Sequence, residues 1–117
     1  MAMITISEIA KEKSTLVVNV AFTDEDGAAA IPTALSWSLT DTAGTVINSR
    51  SSVSVAVPAA SNDIVLSGLD LAMQSGESGD YAVRIFTAEA TYTSTLGTGL
   101  PVKEQASFMV ENLTKVS

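Results

Sequence analysis

The 117-residue chain is predicted to fold as an all-β, two-sheet antiparallel β-sandwich of about seven to nine strands. Three observations predict it. Hydrophobic residues make up 46% of the chain, enough to line a core. Apolar side chains recur at every second position in one segment after another, the period of a half-buried strand. Clusters of Gly, Asp and Ser separate those segments, and no stretch keeps a helical period over three turns. The length suits a single domain, 1–117, and is too short for two full cores. The strands are unequal and the connections irregular, which favours a sandwich over a small closed barrel.

Taken in order, the first element is a strand at Met3 to Glu8, within residues 1–13 that serve as an N-terminal strand or arm. In Ser14 to Asp24, Leu16, Val18, Val20 and Phe22 share one face, and the Asp24-Glu25-Asp26-Gly27 turn follows. Thr33 to Thr40 repeats the pattern, with Leu35, Trp37 and Leu39 inward. After the Asp41 to Gly44 turn, Thr45 to Arg50 is expected as a hairpin partner strand. Val53, Val55 and Val57 alternate until Pro58, which has no amide proton for a ladder. Asp63 to Leu66 is a short strand, and Leu69 to Met73 suits a single helical turn. Tyr81 to Thr93 is the longest strand, with Tyr81, Val83 and Ile85 on one side and Arg84 and Phe86 on the other. Its alternation weakens at Thr87 to Ala90, where a bulge or a sheet-edge change is expected. Ser94 to Pro101 is a Gly-containing connection, and Val102 to Glu111 closes the fold with Ala106, Phe108 and Val110 inward.

Composition narrows the chemistry. Thirteen acidic residues face six basic ones, a formal net charge of −7. A nucleic-acid binder needs clustered cations to displace phosphate counterions, and docking on an anionic membrane needs the same. The six cations here are scattered, so neither partner is expected. There is no Cys and no His, which removes disulfides, thiolate metal sites, the commonest general base and the commonest metal ligand. The N-terminal residues lack the basic-then-apolar pattern of a secretory signal, and no segment approaches a membrane span, so synthesis in the cytoplasm is expected. The Asn112-Leu113-Thr114 sequon carries little weight without a signal.

No motif supports catalysis, so no enzyme activity and no cofactor are expected. Asp24, Glu25 and Asp26 resemble a calcium loop only in charge. Gly27 is followed by Ala28-Ala29-Ala30-Ile31, so the remaining ligands are missing and no metal is expected. Ser75-Gly76-Glu77-Ser78-Gly79 has the wrong order for a nucleophile elbow, and no His exists to activate a serine. Gly97-Thr98-Gly99 is too short for a phosphate fingerprint. Trp37 could stack on a sugar, but its cleanly alternating flanks favour a place in the core.

What remains is contact between subunits. Leu96, Leu100 and Pro101 lie in a connection, where exposed leucines call for a partner surface. Met3, Ile4 and Ile6 could form an edge strand or an arm added to another chain's sheet. These six are the candidate interface residues.

The segments Leu35-Ser36-Trp37-Ser38-Leu39-Thr40-Asp41 with Gly44, Gly79-Asp80-Tyr81-Ala82-Val83-Arg84, Glu89-Ala90-Thr91-Tyr92 and Phe108-Met109-Val110-Glu111-Asn112 resemble small immunoglobulin-like structural proteins of tailed bacteriophages. The likeness spans nearly the whole chain, through motifs common to many sandwiches. In such a fold Trp37 would be the buried Trp of the third strand and Tyr81 would sit near a tyrosine corner. The resemblance implies a virion protein, a capsid decoration (cement) or head–tail or tail accessory subunit. Its partners would be major capsid, portal or tail subunits, or further copies of itself. The alternative is a carbohydrate-binding or adhesin module, which would need exposed aromatic rings.

Overall fold

A computed structural model describes residues 2–6, 9–74, 76–77 and 79–113. Among these residues the chain forms eight strands and one short 3-10 helix: β1 (Ala2–Thr5), β2 (Ile9–Lys11), β3 (Thr15–Phe22), β4 (Ala34–Thr40), β5 (Val53–Ser54), β6 (Ser61–Ser67), the helix Gly68–Leu71, β7 (Tyr81–Ser94) and β8 (Gly97–Glu111). They make two sheets, one ordered β1-β3-β6 and the other β2-β8-β7-β4-β5. The expected β-sandwich is therefore present. Every pairing is antiparallel except that of the three-residue β2 with β8, which is parallel. The N-terminal segment passes from one sheet to the other between β1 and β2. The end of the expected first strand, Ser7 and Glu8, lies outside the described residues, as do Ser75, Ser78 and Thr114.

The core follows the period-two pattern. Leu16, Val18, Val20 and Phe22 of β3 meet Leu35, Trp37 and Leu39 of β4, with Ile64 and Leu66 from β6, Phe86 and Ala88 from β7 and Phe108 and Val110 from β8. Fully burying each of the large aliphatic or aromatic side chains contributes about 1.5–3 kcal/mol. Trp37 and Phe86 stack with centroids 5.5 Å apart. On β7 the inward set is Ala82, Arg84, Phe86, Ala88 and Ala90, while Tyr81 and Val83 face out.

Four local expectations are corrected. Thr45 to Arg50 is not a strand. One bridge, Thr40 with Val46, is followed by a tight turn in which Asn48 and Ser49 take positive φ, and Ile47 plugs the core at 1% exposure. Arg50 and Asn48 bond instead to Asp70, some twenty residues away, which holds the segment in this path. Of the Val53 to Val57 run only Val53–Ser54 forms a strand, because the chain then crosses to β6 in the other sheet. Of the bulge or sheet-edge change expected at Thr87 to Ala90 there is no bulge, and the ladder to β4 ends just past the segment, at Ala34–Thr91. The β7–β8 register runs unbroken from Tyr81–Glu111 to Tyr92–Leu100 and shifts only beside Ser94. Small inward Ala88 and Ala90 weakened the apolar signal without breaking the ladder.

The fourth correction concerns Ser94 to Pro101. Rather than a loose connection it is the tip of a continuous hairpin, with β8 beginning at Gly97. Gly99, at φ +63°, permits the twisted backbone near the turn. Pro101 is tolerated because the Thr91 carbonyl accepts from the Thr33 amide at 2.7 Å, so the polar groups of Thr91 face β4. Pro101, opposite Thr91, then has its nitrogen on the open side of β8, where no ladder bond is lost.

Candidate functional site

The length mismatch between sheets creates the most prominent surface. β7 and β8 have 14 and 15 residues, whereas the facing strands β1, β3 and β6 have 4, 8 and 7. The last β4 row pairs Ala34 with Thr91, so the hairpin beyond Thr91 has no neighbour in its own sheet. It runs roughly 10–15 Å past that row at about 3.4 Å per residue. The molecule is correspondingly elongated, 53 × 21 × 21 Å.

The six candidate residues divide. Leu96, 70% exposed, sits at the hairpin turn. Leu100 lies across from Tyr92, both half-buried, and Pro101 is exposed across from Thr91. Leu96 and Leu100 are thus brought together on the projection, with Pro101 at its base. Met3 is 66% exposed on the outer face of β1. Ile4 and Ile6 turn inward and pack against the core. β1 is thus an edge strand of its own sheet, paired with β3. The Ala2 end of β1 lies beside Phe22, at the same end of the sandwich as the hairpin tip.

Two further apolar residues at that end escaped the sequence reading. Ile31, in the connection from β3 to β4, is 68% exposed, and Val57, between β5 and β6, is 83% exposed. With Met3 and Leu96 they are the four most exposed large apolar side chains among the described residues. The available signal was an apolar residue beside a proline within a turn-rich connection, as in Ile31-Pro32 and Val57-Pro58.

The acidic turn at this end is built from its own backbone. One Asp24 carboxylate oxygen accepts from the amides of Asp26 and Ala28 at 2.9 and 3.0 Å, a self-contained Asx turn. Among the described residues no three metal-capable side chains are gathered. Trp37 is 6% exposed and its face is taken by Phe86, so it offers no stacking platform. Tyr81 lies half exposed on the outer face, and among the described residues its hydroxyl bonds to no upstream backbone.

The opposite end carries buried charge that sequence reading also missed. Arg84 is fully buried and forms a forked pair with Glu77, at 2.8 Å from Nη1 and 2.5 Å from Nη2. It also donates to the carbonyls of Val83 and Ala72, which ties the segment after the 3-10 helix to β7. The Arg84 hydrogen bonds hold the Glu77 carboxyl below its ordinary pKa, against a smaller upward pull from burial. Asp70 is 1% exposed and accepts from Arg50 Nε at 2.7 Å, Asn48 at 2.8 Å and the Ser67 amide at 3.2 Å. Burial pushes its carboxyl up, but these donors outweigh it and leave the pKa lowered. Arg50 also lies over the Trp37 ring, 5.8 Å from its centroid. Both carboxylates are engaged by structural partners from within the fold.

Two concavities lie on the surface of the described residues. A shallow trough of about 400 Å³ crosses the five-stranded sheet over Ala34, Ser36, Glu89, Thr91, Pro101 and Lys103. A groove of about 450 Å³ runs along β6, walled by Val55, Val57 and Ala59 on one side and Ser61 to Val65 on the other, with Trp37 contributing. Comparison with known proteins finds no matching family model, no matching curated protein and no matching solved structure.

Proposed function

We propose that this chain is a non-enzymatic adhesion domain, a virion structural protein of a tailed phage. Its place would be capsid decoration or a head–tail or tail accessory position, after synthesis in the host cytoplasm. The observation that carries the adhesive reading is the β7–β8 hairpin, projecting beyond its sheet with Leu96 exposed at the tip. An apolar tip projecting on a two-stranded stalk gains by burial only when another surface covers it. The virion assignment rests on the sequence resemblance. Strand order supports the immunoglobulin type of the sandwich: β3 beside β6 in one sheet and β8-β7-β4 in the other would correspond to strands B and E and to G, F and C of that fold. Many copies, each burying a modest contact, would sum their binding through the lattice.

The test is a reconstitution on particles lacking the protein, comparing wild type with Leu96→Ser/Leu100→Ser. Burying a leucine contributes about 1.5–3 kcal/mol, so the double variant should bind at least roughly tenfold more weakly. Its thermal midpoint should change little, because neither the exposed Leu96 nor the half-buried Leu100 belongs to the core. Equal occupancy by variant and wild type would refute the assignment.

A further inference from the structure

We infer that the free edge of β6 is a second docking site, which accepts an extended, cation-bearing segment of a different protein as an added strand. β6 is the last strand of its sheet and pairs only with β3 among the described residues. Its register shows which backbone groups are spare. The Phe22 amide bonds to the Ala60 carbonyl at 2.8 Å, and the Gly68 amide to the Ser14 carbonyl at 3.1 Å. Both pairs share the β3–β6 register, so even-numbered residues of β6 bond to β3. Ser61, Asp63, Val65 and Ser67 therefore direct amides and carbonyls to the open side. Asp70 takes the Ser67 amide, which closes the edge at that end. Ser61, Asp63 and Val65 remain, a ladder for a strand of about five residues.

The other edges are guarded. β1, β2 and β5 have 4, 3 and 2 residues, and short edges pair poorly. The part of β8 above its contact with β2 carries Pro101 and Lys103, both edge-blocking residues. β6 has seven residues with no Pro, no Lys and no bulge. The groove of about 450 Å³ lies directly against it and supplies room for the added strand.

The occupant's chemistry follows from the two faces. Asp63 is exposed on the outer face, where one carboxylate oxygen accepts from Asn19 at 2.9 Å and no cation pairs with it among the described residues. The residue opposite Asp63 is therefore favourably Lys or Arg. Residues on either side of it point into the groove, against Ile64, Val55 and Trp37, and are favourably aliphatic. A second copy is a poor occupant: each chain carries −7, and two copies of β6 paired about Asp63 would oppose like charges. This site is separate from the hairpin tip and does not depend on the contact proposed there.

The test uses ¹⁵N-labelled full-length protein and the peptide acetyl-Thr-Val-Lys-Val-Thr-amide. Millimolar peptide should shift and protect the amides of Ser61, Asp63 and Val65, and should alter Trp37 fluorescence. Asp63→Lys, an outer-face change that leaves the core intact, should weaken binding roughly tenfold, as should replacing the peptide's Lys by Glu. Val65→Pro removes one spare amide and should weaken binding further. Absence of shifts on β6, shifts confined to β1 or the hairpin, or equal binding of the Glu peptide would overturn the inference.

Discussion

Replacing Glu77 by Ala should unfold this protein's margin of stability far more than its partial exposure suggests. Glu77 has a side chain 28% exposed, while its partner Arg84 is 0% exposed. The variant removes both forked hydrogen bonds from a guanidinium that cannot reach solvent. What remains for Arg84 is the Val83 carbonyl at 3.0 Å and the Ala72 carbonyl at 3.3 Å, with Nε already unpartnered among the described residues. Breaking a fully buried pair by removing one partner costs about 3–5 kcal/mol. Water entering where Glu77 meets solvent recovers part of that, so about 3 kcal/mol is expected. That is a large share of the 5–15 kcal/mol typical of a domain. Urea unfolding of wild type, Glu77→Ala, Arg84→Met and the double variant measures it. Arg84→Met should cost less than Glu77→Ala, because Glu77 can turn to water whereas Arg84 cannot. The double variant should recover much of the loss. A cost for Glu77→Ala below about 1 kcal/mol, the value of a surface ion pair, would refute the reasoning.

The same carboxylates set an acid limit. Asp70 and Glu77 have pKa values lowered on folding, so their stabilisation is complete above their unfolded values of about 4 and is lost as pH falls through the folded ones. Thermal midpoints should therefore decline below about pH 4, and Asp70→Asn should flatten that decline while lowering the midpoint at neutral pH. Asp70→Asn should also loosen the Thr45 to Arg50 turn, read as faster amide exchange at Ile47 and Arg50; unchanged exchange would count against Asp70 as its anchor. Trp37 should emit at short wavelength and resist iodide quenching, and a sugar-dependent shift in that emission would revive the carbohydrate-binding alternative.

Legibility in the sequence tracked the physical range of each cause. β3, β4 and β6 were readable because alternation is a local property, set by which face each side chain meets. Trp37 was readable as core for the same reason, since Leu35 and Leu39 flank it at the same period. The path of Thr45 to Arg50 was not, because its determinant is Asp70, twenty residues further on. Arg84 was visible on the Phe86 side of β7, but its burial depended on Glu77 arriving from the segment before β7. Ser94 to Pro101 looked like a loop because Gly and Pro weaken a strand in isolation. They are tolerated here because that stretch of β8 is itself an edge.

The candidate contacts divide in the same way. Leu96, Leu100 and Pro101 were legible as one group through nearness in the chain. The separation of Met3 from Ile4 and Ile6 follows from alternation once β1 has a register, which only β3 supplies. By itself, then, the order of residues determined the layered β architecture and its inward faces, because both arise from the pleat of a single strand. Tertiary structure alone decided which strand outgrows its neighbours, which edge stays open and which charges go inside. Those outcomes depend on the relative placement of segments distant in the chain, and no local period encodes it.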